Sequence, residues 1–188
     1  MFPCLVACNL KAFSRQKLQS LVGILAIERG REISRVDIMR ELWPDSRDEN
    51  AKRNLYTVWH FLKKSLALPD GSCPYLVSYQ YGFKFDESYV TSDYQQIKEL
   101  CNQMNVQNPD QEKGGANLLK IQDLYRGKLL PNEQECRKII NYRDSIHNKL
   151  INTMVDYTMR LLDDDFSHLA LEYANHTLEL EKDREDVY

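Results

Sequence analysis

A mainly α fold carrying one small β-hairpin is predicted by three features of this sequence. Two helix-capping patterns stand close together, Ser34 with Asp37 and Ser46 with Glu49. The run from Tyr75 to Phe85 places aromatic residues and Val77 on the flanks of a glycine, the pattern of paired strands. Beyond it, apolar residues recur at three- and four-residue steps almost to the C-terminus, the pattern of helices packed on one face.

In chain order, a first helix is expected to begin near Ser14. The segment Arg31 to Trp43 then gives a short positioning helix, capped by Ser34 and Asp37, with Ile38 and Leu42 as its apolar stripe. Pro44 and Asp45 break it. A longer helix over 47–66 follows, capped by the Ser46 and Glu49 pattern. At 100° per residue its buried stripe is Leu55, Trp59, Leu62 and Leu66, with Ala51 beside them. The opposite face carries Arg53, Thr57, His60 and Lys64, flanked by Asn50, Asn54 and Phe61. Cationic, amide, hydroxyl and apolar groups in that mixture suit phosphates, base edges and a thymine methyl in a major groove. After Leu68 to Ser72, residues 75–85 read as a hairpin turning between Tyr79 and Gly82, because glycine tolerates positive φ. Two helices joined by a tight polar turn and followed by such a hairpin describe a winged helix-turn-helix, which implies duplex DNA as a partner.

The same residues carry a resemblance. Leu42-Trp43-Pro44, the register of Leu55, Trp59, Leu62, Lys63, Lys64 and Leu66, and the ending Gly82-Phe83-Lys84-Phe85 resemble the OmpR-type output domain. Further along, Tyr125 to Pro131, the long helix through Arg143, Asp165 to Ala174, and Arg184 to Tyr188 resemble the bacterial transcriptional activator domain (BTAD). That order of domains is found in the SARP family of transcription activators, and the resemblance covers most of Phe13 to Tyr188. It implies an activator whose protomers bind tandem half-sites, as a homodimer, and recruit RNA polymerase. Two positions depart from the family pattern. Tyr79 and Gln80 stand where the wing tip usually carries a basic residue and a glycine, which implies modest DNA affinity. Only Phe2 to Leu10 is available for the small sheet that precedes the family's first helix, so part of that sheet is expected to be missing or shortened.

Composition bounds the remaining possibilities. With 188 residues, 43% hydrophobic and 28% charged, the chain suits one large or two small globular domains. No apolar run approaches the ~20 residues of a membrane span, and no basic-then-apolar secretory signal opens the chain, so a cytoplasmic protein with no membrane partner is expected. Cys4, Cys8, Cys73, Cys101 and Cys136 are odd in number and form no Cys-x-x-Cys pair, the pattern of reduced thiols rather than of a disulfide framework or zinc site. The net charge of −3 is unevenly divided. Through Val90 there are 13 Lys and Arg against 10 Asp and Glu; from Thr91 onward there are 12 against 18. The first part can approach phosphates, and the acidic second part is a poor candidate for doing so.

The expected division is therefore a winged-helix domain over 1–90 and an all-α, TPR-like domain over 91–188 that continues past Tyr188 in a longer protein. Within the second part, a helix is expected from Asp93 to about Met104 and a flexible loop from Asn105 to Asn117, where Pro109 and Gly114-Gly115 interrupt the pattern. A short helix follows over Leu118 to Tyr125. From about Glu133 a long amphipathic helix presents Ile139, Tyr142, Ile146, Leu150, Met154, Tyr157 and Leu161 on one face. Asp163-Asp-Asp165 ends it as a solvated turn. The next helix, Phe166 to Leu180, places Phe166, Ala170, Tyr173, Ala174 and Leu178 on one side, which looks like the first helix pair of a tetratricopeptide-type array.

No nucleophile-elbow, zinc-protease or nucleotide-loop motif is present, so no catalytic activity and no cofactor is expected. His147, His168 and His176 lack acidic or thiol partners at matching spacing and read as helix-surface residues. Two functions fit the pattern. One is a DNA-binding transcriptional regulator using Asn50, Arg53, Asn54, Thr57, His60, Phe61 and Lys64, with Tyr79 and Gln80 at the wing. The other is a protein-interaction adaptor whose winged helix no longer binds DNA and whose helical repeat is the working surface, favoured by Tyr79, Gln80, Tyr81 and an exposed Phe61, since aromatic residues suit interface hot spots.

Overall fold

The computed structural model of the chain describes residues 16–107 and 111–181. Among them the fold is mainly helical, with a small three-stranded antiparallel sheet. The elements are α1 (Gln16–Ile27), β1 (Ile33–Ser34), α2 (Arg35–Leu42), α3 (Asp48–Ser65), β2 (Leu76–Ser78), β3 (Gly82–Phe85), α4 (Asp93–Gln107), α5 (Gln111–Leu124), α6 (Arg137–Asp163) and α7 (Ser167–Leu180). They divide into two compact units. Among the described residues, one comprises 16–92 and 128–143; the other comprises 93–107, 111–127 and 144–181.

In the first unit, α1 is apolar almost all round and is buried from Leu18 to Leu25 apart from Gln19. Gly23 lets neighbouring side chains close on it, since a Cβ there would lie 3.0 Å from Leu130 Cδ1. The α2 cap forms as the sequence predicts: the Asp37 N–H donates to Ser34 Oγ at 3.0 Å and Ser34 Oγ donates to the Asp37 carboxylate at 2.7 Å. The second cap does not. Helix α3 begins one residue later than a Ser46 cap requires, its N-cap is Arg47 and no side chain caps it. The acidic first turn, Asp48 and Glu49, faces the positive end of the helix dipole instead.

Ala51, Leu55, Trp59 and Leu62 of α3 are buried as one stripe, and Leu66, at the C-cap, is half-buried. They join Leu21, Ile24, Leu25, Ile38, Leu42 and Phe83 in the core. Trp59 stacks on Phe83 with ring centroids 3.9 Å apart and planes 14° from parallel. The sheet order is β1-β3-β2, with Ile33 opposite Phe83 and Val77 opposite Lys84. Gly82 is required where β3 meets β1, because a Cβ would overlap the Ile33 carbonyl.

The start of α6 is anchored in this unit by carboxylates. Glu133, buried, accepts from the Glu135 and Cys136 N–H groups at 2.9 and 3.1 Å and from the Ser20 hydroxyl. Glu41 accepts from the Lys138 N–H at 3.0 Å, and Lys138 pairs with Glu28 at 2.7 Å. Helix α6 begins at Arg137 rather than at Glu133 as the periodicity suggested: Glu133 ties down the turn before the helix, and Glu41 takes an N–H of its first turn.

The second unit is built from α4, α5, the remainder of α6, and α7. Its core holds Ile97, Cys101, Met104, Leu118, Ile121, Leu150, Met154, Tyr157, Leu161 and Ala170. The predicted loop over Asn105 to Asn117 is corrected here: α4 extends to Gln107 and α5 begins at Gln111, so Gly114 and Gly115 lie inside a helix. Gly114 is buried against Tyr157, and a Cβ would overlap that ring. The pair of glycines marks a close helix approach, not a break. Helix α6 ends at Asp163, and Asp165 makes the turn with φ of 62°. In α7, Ala170 and Thr177 are buried, whereas Phe166 is the exposed N-cap rather than part of the packed side.

The proposed sheet over Phe2 to Leu10, Ser14, Cys4, Cys8, Pro109 and the segment Arg184 to Tyr188 lie outside the described residues. Among the described residues, no helix is long and apolar enough to cross a membrane.

Candidate nucleic-acid interface

Helix α3 is amphipathic enough that burying Leu55, Trp59 and Leu62 fixes which side chains face outward. Asn50, Arg53, Asn54, Thr57, His60, Phe61 and Lys64 are all exposed. The Thr57 hydroxyl donates to the Arg53 carbonyl one turn earlier at 3.0 Å, which leaves its oxygen lone pairs and its methyl facing outward. His60 and Phe61 meet edge-to-face with centroids 6.4 Å apart. Lys63 lies with its ammonium 5.7 Å from the Trp59 ring centroid, so the C-terminal half of the helix carries two cations where the first turn carries two carboxylates. The charge along α3 therefore changes sign, from negative at its first turn to positive toward its C-terminal end.

The hairpin β2–β3 supplies the second part of the surface. Its tip is closed by the Tyr79 N–H donating to the Gly82 carbonyl at 2.9 Å. Tyr79, Gln80 and Tyr81 all project into solvent, Tyr81 being 71% exposed, and the Gln80 amide donates to the Tyr81 hydroxyl at 2.8 Å. The tip itself has no cation in its sequence, but Lys84 on β3 brings its ammonium to 5.9 Å from the Tyr79 ring centroid. Desolvation alone would lower the Lys84 pKa; Tyr79 and the Glu87 carboxylate at 3.5 Å outweigh it and hold the ammonium above the ordinary lysine value. Lys84 stays charged at any working pH.

Two residues that sequence reasoning did not place at the site, Arg35 and Tyr56, connect these parts. Arg35, the first residue of α2, donates through Nη1 to the Tyr56 hydroxyl on α3 at 2.9 Å and through Nη2 to the Tyr79 carbonyl at 2.7 Å. Its guanidinium carbon lies 5.4 Å from the Tyr56 ring centroid and 5.0 Å from that of Phe83. The partners are 21 and 44 residues away in sequence, so no local pattern announces them.

Elsewhere the titratable groups settle into structural roles. His147, expected on a helix surface, is buried at 4% exposure. Its Nδ1 is 2.7 Å from the Tyr125 hydroxyl and its Nε2 is 2.5 Å from the Glu181 carboxylate. The acidic partner missing from local spacing is supplied by the end of α7. Burial, with the Glu181 charge adding to it, pushes the Tyr125 phenol up to about 12, so it remains a neutral hydrogen-bonding group. His168 is exposed, and His176 pairs at 3.6 Å with Glu179. Cys73, Cys101 and Cys136 are free thiols. Burial pushes Cys101 up, and burial with Glu41 and Glu133 nearby pushes Cys136 up to about 11, which disfavours the thiolate that metal binding needs. Among the described residues no group of His, Cys, Asp and Glu is placed to hold a metal ion.

In comparison with known proteins, no family model matches this chain and no curated protein sequence matches it.

Proposed function

We propose that the first part of the chain is a winged helix-turn-helix in which α3 enters the major groove of duplex DNA and β2–β3 is the wing, and that the protein is a transcriptional regulator. The observation that carries this reading is the outward face of α3. Arg53, Thr57, His60 and Lys64 stand exposed directly opposite a fully buried stripe, so the helix is rigidly held with a chemically mixed face presented to solvent. Major-groove reading needs such a face: cations for phosphate and guanine, amides for adenine, and small apolar groups for thymine. The capped helix α2 before it and the aromatic hairpin after it supply the flanking contacts that a lone amphipathic helix lacks.

By the resemblance drawn from the sequence, the regulator is an activator that binds tandem half-sites as a homodimer and recruits RNA polymerase, and the helical second part, TPR-like in pattern, contacts protein rather than DNA. The acidic balance from Thr91 onward agrees with that division of labour.

A second reading is favoured by one specific observation: Tyr79 and Phe61 are 40% and 38% exposed and Tyr81 71%, an aromatic surface that suits protein docking. Salt separates the two readings, because phosphate contacts weaken steeply as counterions compete and aromatic contacts hardly respond. Labelled duplexes from upstream of the protein's own gene, and random duplexes, should be titrated at low and moderate salt. Binding in the micromolar range or tighter is expected, with Lys64→Ala weakening all duplexes and reducing the salt slope by about one unit, and Arg53→Ala relaxing preference at one base position. Both variants should keep the wild-type thermal midpoint. A folded protein that binds neither kind of duplex would remove the regulator reading and leave the docking surface in its place.

A further inference from the structure

We propose that Arg35 is a positioning residue for DNA binding, fastening the hairpin tip to α3 so that the tip and the outward face of the helix meet one duplex in fixed register; this rests on the DNA-binding reading above. Two surfaces that contact the same rigid duplex must be held at a set spacing, or the entropy of ordering them is charged against binding. The backbone around Arg35 already ties the tip to the start of α2: the Arg35 N–H donates to the Tyr81 carbonyl at 2.8 Å, and Ser34 pairs with Gly82. The guanidinium extends that tie to α3. One side of its planar fork takes the Tyr79 carbonyl at 2.7 Å and the other takes the Tyr56 hydroxyl at 2.9 Å. A lysine ammonium lacks that planar fork and cannot reproduce the paired geometry.

The position of the charge matters as much as the bonds. The guanidinium is half-buried between the Tyr56 and Phe83 rings with both terminal nitrogens engaged inside the protein. Nη1 and Nη2 therefore each commit a donor to the joint, while the buried Nε has no hydrogen-bond partner. Its removal should loosen the tip and lower affinity without removing a phosphate contact, which distinguishes it from Lys64.

The test uses the full chain with Arg35→Gln, Arg35→Lys, Tyr56→Phe, and a tip variant carrying Tyr79→Gly, Gln80→Gly and Tyr81→Gly. Duplex affinity is measured across a salt series, and hydrogen exchange is followed at the Tyr79 amide. Arg35→Gln is expected to weaken binding about tenfold, the size of a lost charge-assisted hydrogen bond, with an unchanged salt slope. Tyr79 amide exchange should speed up about tenfold as the tip opens more often. Arg35→Lys should restore only part of the affinity. In the tip variant, Arg35→Gln should cost nothing further, whereas a general loss of stability would cost as much there as in the wild type. A salt slope reduced by about one unit would make Arg35 a phosphate ligand and overturn the proposal, as would an equal loss in the tip variant or unchanged exchange at Tyr79. If Arg35→Gln does not fold, Tyr56→Phe, which removes one exposed acceptor, carries the same comparison: a partial loss of affinity that vanishes in the tip variant. If the wild type binds no duplex, the DNA-binding reading fails by itself, and Tyr79 exchange alone decides whether Arg35 holds the tip.

Discussion

Glu133 shows how a single buried carboxylate can hold the turn ahead of a helix. Burial disfavours its charged form, yet the Ser20 hydroxyl, the Glu135 and Cys136 N–H groups and the Lys17 charge outweigh that penalty and hold its pKa below the usual glutamate value. Because the folded-state pKa is depressed, the stability it contributes is complete above the unfolded value, about 4.3, and is lost as pH falls through the folded value. Urea unfolding of wild type and Glu133→Gln should therefore differ at about pH 7, and the gap should close as pH falls below about 4; a gap independent of pH would deny Glu133 this role. Ser20→Ala removes the hydroxyl donor from a buried charge and should cost about 1.5–3 kcal/mol by the same denaturation.

Among the elements, α5 carries the clearest conflict between propensity and packing. Replacing a mid-helix glycine by alanine ordinarily stabilises by about 1 kcal/mol. At Gly114 the added Cβ would overlap the Tyr157 ring, which is itself buried, and overpacking costs about 1–3 kcal/mol. Packing wins, so Gly114→Ala should lower the thermal midpoint; a raised midpoint would show that Tyr157 moves aside freely. In α3 the issue is volume lost rather than gained. Leu62 is fully buried, and Leu62→Ala should cost about 2–5 kcal/mol in chemical denaturation. A cost below about half a kcal/mol, the range of exposed positions, would place that face in solvent and rotate the proposed DNA-contacting face with it.

For the molecule as a whole, charge arrangement decides more than the net value of −3. The outward face of α3 offers Arg53 and Lys64 as phosphate or base partners, so the salt slope of duplex binding should be near two rather than the far larger slopes of strongly basic proteins, since each phosphate contact contributes about 0.9. Raising salt fourfold should then weaken binding about tenfold. A loss of a thousandfold over the same range would require many more cationic contacts than this face holds, and no loss at all would point to the aromatic tip as the working surface.

The sequence by itself determined the elements whose signals are local. The α2 cap is legible because Ser34 and Asp37 are three residues apart, and the α3 stripe because helical periodicity repeats every turn. The hairpin is legible because its aromatic flanks and a glycine occupy a handful of residues. The candidate DNA-contacting side chains were readable for the same reason: once one face of a helix must be buried, the other is fixed. Tertiary structure decided whatever depends on partners distant in the chain. Gly114 reads as a helix breaker until Tyr157 is packed against it. His147 reads as a surface residue until Tyr125 and Glu181, 22 and 34 residues away, enclose it. Arg35 has no local signature at all, because its side chain acquires a role only when Tyr56 and Tyr79 are folded to either side of it. Local propensity and periodicity are set by covalent neighbours, whereas close packing and hydrogen-bond satisfaction are settled only among residues that the fold brings together.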